Sequence, residues 1–437
     1  DGGSTNSPAG TNALSNFGAG GGGGHSGCGR GGNGGSGVVI IVYEILGEIT
    51  NPSISQSSDN YSVDVTWTAP YNNGDGSLAY EFQASKDGST NWFDVNDLDG
   101  NSTDASATLM PGCGEHTIRL RASDGSNSTS YVVAGSEISG VGAFSSMTGV
   151  TITEDSGECV IKFDDVNTDD YSPTTFTWDA PSSVDTVRAL LVAGGGGGGD
   201  DEGGGGGAGG MLDESELSIN AGATHTIEVG QGGEGGVFVG SLGQDSVPAS
   251  NGGDSKISSA GVDVTAVGGG GGGSAKNETG IDTNGDGIDD RSGLTGGSGG
   301  GGAGENRGGG DAGGAGTTDQ GNDGGNGGGS RGAGGGGASQ PGNSYGHGGA
   351  GLASDILQIG ANVIYAGGGS GGGGNGSSAS LPGRAGFAVE NAGNNSGDCG
   401  SAGTDGLGGG GGGGHGEFTS CPGKGVYEGY DGGSGFV

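Results

Sequence analysis

Six consecutive glycines, Gly194 to Gly199, follow the apolar run Val187-Arg188-Ala189-Leu190-Leu191-Val192-Ala193, and this junction constrains the chain more than any other stretch. A glycine run has no side chains with which to build an apolar core, and each of its residues loses more backbone freedom on ordering than any other type. A flexible linker is one outcome for such a run. Comparable runs at 203–207, 268–273, 299–302, 334–337, 371–374 and 408–414 alternate, however, with strand-like segments at Thr226–Val229, Val262–Val267 and Ile356–Ala366, which a linker does not need. Ordered glycine runs are expected to adopt the polyproline-II conformation, with three residues per turn, about 3.1 Å rise and no internal hydrogen bonds, so that six residues span roughly 19 Å. Every N–H and C=O then points sideways and must find a partner. Neighbouring glycine helices supply it, at about 1 kcal/mol net per bond against an ordering cost of about 1–2 kcal/mol per residue. So close a balance calls for a rigid β frame.

Composition narrows what such a frame could serve. Of 437 residues, 122 are glycine and only 5% are aromatic, so no large hydrophobic core covers the whole chain. The length suggests two to four domains. A formal charge of −38, from 51 acidic against 13 basic residues, argues against nucleic acid or anionic membrane as partner, since both require a basic face. It fits a soluble surface protein that binds cations. No stretch approaches 18 consecutive apolar residues, so no membrane span is expected. Asp1 is neither an initiator Met nor the start of a signal-peptide pattern, and the sequence reads as part of something longer. Five cysteines, Cys28, Cys113, Cys159, Cys399 and Cys421, lack CxxC metal spacing. In an extracellular setting two bridges and one spare thiol are expected, with Cys399, Cys421, Cys113 and Cys159 as the candidates and Cys399–Cys421 the most local pairing. Reduced, buried cysteines are the alternative.

The chain repeats itself end to end. Ala9-Gly10-Thr11, the run Gly20–Gly24, His25, Cys28 and Gly34-Gly35-Ser36-Gly37 lead into Val38-Val39-Ile40-Ile41-Val42-Tyr43. The same order returns as Ala402-Gly403-Thr404, Gly408–Gly414, His415, Cys421 and Gly432-Gly433-Ser434-Gly435, followed by Phe436-Val437, a period of roughly 395 residues. Residues 1–50 therefore read as the C-terminal part of a preceding glycine-rich domain. Val38, Val39, Ile40, Ile41, Val42, Phe436 and Val437 are the candidate assembly strands, either as the seam of a tandem array or as strands exchanged between subunits.

Residues 51–140 alternate with period two: Val63, Val65 and Trp67 on one strand face, Tyr80, Phe82 and Ala84 on another, Ile118, Leu120 and Ala122 on a third. Turn signals at Asn73-Gly74-Asp75-Gly76, Asp87-Gly88 and Pro111-Gly112 separate them, and short strands at this spacing argue for a β-sandwich. Trp67-Thr68-Ala69-Pro70, Tyr80, Trp92 and the Leu109-Met110-Pro111-Gly112 corner followed by Ile118-Arg119-Leu120-Arg121-Ala122 resemble a fibronectin type III domain, with His116 where that family usually has Tyr. Further on, Phe176-Thr177-Trp178, Ala180-Pro181, the Val187 strand, the glycine runs, Gly222–Gly230, Gly348–Leu352 and Tyr365–Gly369 resemble the glycine-rich domain of bacterial, archaeal and phage surface proteins. That resemblance, over residues 141–437 and 1–46, implies a non-enzymatic surface or fibre module. The expected class is all-β with almost no α-helix: a fibronectin III-like sandwich, then strands over 141–193 framing a polyglycine-II bundle over 194–437.

One motif carries specific chemistry. Oxygen side chains at Asp282, Asn284, Asp286 and Asp290, the carbonyl of Ile288 and a turn at Gly287 reproduce the first, third, fifth, ninth, seventh and sixth places of a calcium loop. Gly293 stands where a bidentate Glu belongs, so Ca2+ is expected to bind weakly unless another loop adds a carboxylate; a solvated acidic turn is the alternative. His25 and His415 lack two further ligands for a metal and read as packing or hydrogen-bonding residues. No glycine run ends in Lys-Ser or Lys-Thr, and neither a GxSxG elbow nor a nucleophile–base pair occurs, so no enzyme activity is expected. The expectation is a structural protein of an extracellular fibre or matrix that self-associates; an adhesin binding surface glycans through loops 275–296 and 316–345 is the alternative.

Overall fold

The computed structural model describes residues 12–13, 20–21, 23, 30–36, 38–40, 46–72, 77–86, 88–100, 105–167, 172–238, 247–274, 290–304, 311–329, 331–357, 361–373, 401–414 and 428–437. Among these the architecture is all-β, without an α-helix. Residues 1–50, 69–80 and 121–130 form one compact unit and the rest another. In the first unit, the Gly47 N–H donates to the Tyr71 carbonyl at 2.7 Å, Leu46 bridges Asn72, and the Thr129 N–H donates to the Ala122 carbonyl at 2.9 Å.

Alternating sequence builds the first seven strands: β1 (Thr50–Gln56), β2 (Val63–Thr68), β3 (Ala79–Lys86), β4 (Phe93–Val95), β5 (Ser106–Leu109), β6 (Gly114–Ser123) and β7 (Val132–Ser139). They form a three-stranded sheet in the order β1-β2-β5 and a four-stranded sheet in the order β4-β3-β6-β7. Val63, Val65 and Trp67, Phe82 and Ala84, Ile118 and Leu120 are all buried, as the period-two pattern requires. The Trp67 and Phe82 rings meet edge to face at 5.6 Å. His116 is buried too, its Nδ1 3.1 Å from the Gly114 carbonyl and its ring edge-on to Phe93.

The remaining strands are β8 (Ala143–Phe144), β9 (Val150–Asp155), β10 (Glu158–Phe163), β11 (Thr174–Asp179), β12 (Thr186–Val192), β13 (Met211–Ser218), β14 (Thr224–Val229), β15 (Ser255–Ser259), β16 (Val262–Ala266), β17 (Leu352–Ser354) and β18 (Val363–Tyr365). β16-β15-β14-β11-β8 make a five-stranded sheet, while β9 with β10, β12 with β13, and β17 with β18 are antiparallel pairs. Two apolar clusters flank β12. Ala189, Leu191 and Ala193 join Phe163, Phe176, Trp178, Ile227 and Ile257 in one; Leu190 and Val192 join Met211, Tyr365 and Phe436 in the other. Burial on both faces explains why its second half, Ala189–Val192, reads as an unbroken apolar run rather than an alternating one. The indole N–H of Trp178 donates to the Val141 carbonyl at 2.7 Å.

A disulfide joins Cys113 to Cys159 with 5.8 Å between their Cα atoms, so it is this pair that staples the start of β6 to the β9–β10 hairpin. Cys28, Cys399 and Cys421, and with them the Cys399–Cys421 pairing, lie outside the described residues. One expectation needs correction. Among the described residues of Ile356–Ala366 only Val363–Tyr365 is a strand, paired with Leu352–Ser354, because Ile356 and Leu357 lie in a turn; the Tyr365 ring packs against Phe436 at 5.1 Å. Phe436 bridges Val192 and Asp164 of the same chain and is buried, its ring in the second cluster.

Candidate functional site: the glycine lattice

The run Gly194–Gly199 has no side chain to offer, and its main chain does all the bonding. The N–H groups of Gly194 and Gly197 donate to the carbonyls of Gly253 and Ser250; those of Gly195 and Gly198 to Gly433 and Tyr430; those of Gly196 and Gly199 to Gly207 and Gly204, all at 2.8–3.0 Å. Each step of three residues meets the same neighbour three residues earlier, so these three neighbours run antiparallel. The carbonyls show the same period with three others: Gly194 and Gly197 accept from Gly269 and Gly272, Gly195 and Gly198 from Gly233 and Gly236, Gly196 and Gly199 from Gly411 and Gly414. Here the numbers rise together, and the neighbours run parallel. One run is thus surrounded by six others, with a repeat of three residues in every direction.

Contact this close leaves no room for a methyl group. A Cβ on Gly194 or Gly197 would lie 1.8 or 1.9 Å from the Gln231 or Glu234 carbonyl oxygen, and on Gly196 or Gly199 2.2 or 2.0 Å from that of Gly270 or Gly273. Steric demand selects glycine here. The return run behaves alike: Gly203, Gly206 and Gly209 donate to Gly414, Gly411 and Gly408, while Gly204, Gly207 and Gly210 donate to Gly273, Gly270 and Val267.

Between the two runs, Asp200-Asp201-Glu202 makes the turn. All three are buried, and Asp201 and Glu202 adopt φ of 42° and 55°, a left-handed conformation that costs a non-glycine residue on the order of 1–3 kcal/mol. The Asp200 N–H donates to Ser274 Oγ at 3.2 Å and the Glu202 carbonyl accepts from Gly304 at 2.9 Å, so the lattice holds the turn at both ends. Nearby in the sequence of the lattice, the buried Arg291 guanidinium pairs with Asp311 at 2.6 Å. On the frame, Arg188 of β12 pairs with Asp213 at 3.0 Å and Asp355 at 2.8 Å, and these hydrogen bonds, Asp213 first, push its already high pKa further up. Burial pushes the Tyr365 phenol up to about 12.

Of the calcium loop, Asp282, Asn284, Asp286 and Ile288 lie outside the described residues. Asp290 is buried, and its carbonyl accepts from the Ser274 N–H at 2.9 Å. No group of three or more His, Cys, Asp or Glu side chains among the described residues is placed to hold a metal ion. Of the assembly strands, Val38, Val39 and Ile40 are exposed, Phe436 is buried and Val437 half-buried, whereas Ile41 and Val42 are outside the described residues, as are His25 and His415. Sequence reasoning missed the acidic turn and the Arg291–Asp311 pair. A charged triplet interrupting two glycine runs was the available signal for the first; nothing in the spacing pointed to the second.

No helix among the described residues is long and apolar enough to cross a membrane. A comparison with curated proteins gave no match. The family model described as the glycine-rich domain matches residues 171–437, which takes in every run of the lattice and more than half of the chain. By that match, and with the lattice as its core, the chain belongs to the glycine-rich domain family.

Proposed function

We propose that the chain is a non-enzymatic structural module of an extracellular fibre, filament or surface matrix, built to self-associate. In this reading the glycine runs are polyglycine-II helices and residues 51–140 are a fibronectin type III-like spacer. The observation that carries it is the sixfold surround of Gly194–Gly199, an interior made of main-chain hydrogen bonds. Such an interior supplies rigidity and offers no side chain for chemistry, whereas catalysis needs nucleophiles, bases or charge stabilisers placed with their groups converging. The orders β1-β2-β5 and β4-β3-β6-β7, with Trp67 buried between them, support the spacer reading.

Calcium at Asp282–Asp290 is part of the same proposal, because hard oxygens at that spacing in so acidic a chain are suited to it. Electron microscopy of the purified protein with and without a chelator tests both. Regular fibres are expected, thinning or dispersing on chelation. Isolated compact particles in both conditions, together with binding to a glycan array, would replace the fibre by an adhesin.

A further inference from the structure

Phe82 of β3 and Ile118 and Leu120 of β6 point inward and are buried, so Gln83 and Arg119, which alternate with them, stand on the outer face of the four-stranded sheet. Asp94 of β4 is the register partner of Gln83, and Val133 of β7 is the register partner of Arg119. Cross-strand partners share a face. Gln83 joins the two pairs: its Nε2 donates to Asp94 Oδ1 at 2.9 Å, and its Oε1 accepts from Nε and Nη2 of Arg119 at 2.9 and 2.6 Å. One row of side chains, Asp94–Gln83–Arg119–Val133, therefore crosses all four strands. Trp92 and Tyr131, two residues ahead of the ends of this row, lie on the same face.

These two rings close on the arginine from both sides. The guanidinium carbon lies 4.0 Å from the centre of the Trp92 ring and 4.3 Å from that of Tyr131, and both rings are half-buried. Stacked between aromatic faces and tied to Gln83 along one edge, the side chain is held in place. A guanidinium has five N–H donors, of which Gln83 takes two. The outer edge, made by Nη1 and the second Nη2 hydrogen, has no acceptor among the described residues. No carboxylate there pairs with the charge either, whereas Lys86, Lys162, Arg188, Lys256 and Arg291 each have one within 3.3 Å.

An edge of this kind recognises a carboxylate, whose two oxygens match two parallel N–H groups. Trp, Tyr and Arg are the residues that carry most of the binding energy at protein interfaces. Here the aromatic walls have already ordered the arginine, which removes part of the entropy cost of docking. Val133, 54% exposed beside Arg119, adds apolar surface to the patch. Charge complementarity names the partner: with 51 acidic residues against 13 basic ones, a second copy of the chain presents mostly carboxylates. We propose that the Trp92–Arg119–Tyr131 face docks an acidic surface of a second copy, one of whose carboxylates closes on the outer edge of the Arg119 guanidinium. Face and acidic surface are different patches, so the contact is head-to-tail and propagates.

This inference rests on the fibre reading and gives it a contact. The test uses the full chain and two variants, followed by light scattering against concentration and by electron microscopy. Arg119→Glu reverses the charge at the centre of the face. Val133→Asp sets a carboxylate beside it at an exposed position, and slow exchange of the β3 and β6 amides certifies that each variant is folded. The wild type is expected to assemble, and each variant to associate at least tenfold more weakly. Variants that both assemble like the wild type would overturn the docking face and leave the fibre reading standing. An effect of Arg119→Glu alone would also overturn it, because the arginine would then serve the sandwich and not the contact. A wild type that stays monomeric would overturn both readings; if it were also retained on immobilised polygalacturonate through Arg119, the occupant would be an acidic glycan instead.

Discussion

At Gly196 the volume that a methyl group would need is already held by the carbonyl of Gly270, 2.2 Å from the site of a Cβ. Backbone on both sides has nowhere to go without breaking hydrogen bonds to further runs. Gly196→Ala is expected to cost roughly 1–3 kcal/mol or more in thermal or denaturant unfolding, the scale of overpacking in a close-packed interior. Gly20, also in a glycine run, has nothing within 4 Å of its would-be Cβ among the described residues, and Gly20→Ala should stay within about 0.5 kcal/mol of the wild type. The pair separates lattice glycines from merely abundant ones. Tyr365 poses the opposite case, a large side chain packed in the apolar cluster beside the lattice. It is fully buried, and its hydroxyl has no hydrogen-bond partner among the described residues. With the folded phenol at about 12 against an ordinary 10.0, the folded state holds its proton longer than the unfolded one. Stability is then undiminished below pH 10 and falls as pH rises from 10 to 12, by about 2–3 kcal/mol. Tyr365→Phe should remove that alkaline loss and cost little at neutral pH, because no bond is broken; urea melts at pH 7 and 11 would check it.

Among the elements, β12 was the most legible in the sequence. An apolar run with no alternation announces a strand buried on both faces, and Leu190 and Leu191 do point into separate cores. The alternating strands at Val63, Phe82 and Ile118 were legible for the complementary reason, having one face buried. What the sequence could not disclose was which glycine run lies beside which. Side chains ordinarily encode such choices through shape and charge, and glycine has neither, so the pairing of Gly194 with Gly253 and Gly269 is fixed by the frame strands that feed the runs. The acidic turn at Asp200–Glu202 stayed hidden because charged residues ordinarily signal exposure. Cys113 and Cys159 offered no local spacing either, since 46 residues separate them. Closing a loop of that length stabilises a fold by on the order of 4 kcal/mol through the unfolded state. Cys159→Ser, or reduction, should lower the unfolding free energy by about 2–4 kcal/mol and leave the glycine-run amides the last to exchange, as read by mass spectrometry.

For the whole molecule, a charge of −38 spread over a fold with so little apolar core is a standing repulsion. Screening weakens it over a Debye length that shrinks from about 30 Å at 0.01 M to about 3 Å at 1 M ionic strength. The melting temperature should therefore rise with sodium chloride across that range, by several degrees. If the calcium proposal holds, millimolar calcium should exceed the effect of magnesium at equal ionic strength, and Asp286→Ala should abolish only the difference between the two ions. Differential scanning calorimetry distinguishes general screening from a specific site.

The two directions of neighbour around Gly194–Gly199 bear on how the molecule answers a load. The hydrogen bonds around Gly194–Gly199 lie across the axis of that run, and six neighbours grip it along its length. Tension along the runs must shear many of these bonds at once, whereas tension across them opens one row at a time. Pulled end to end by an optical trap, the domain should yield at a high force in a single event; pulled from the flanks, it should come apart in small steps. A lattice whose interior bears no side chains would in this way be strong along one direction only, the direction in which a thread is strong.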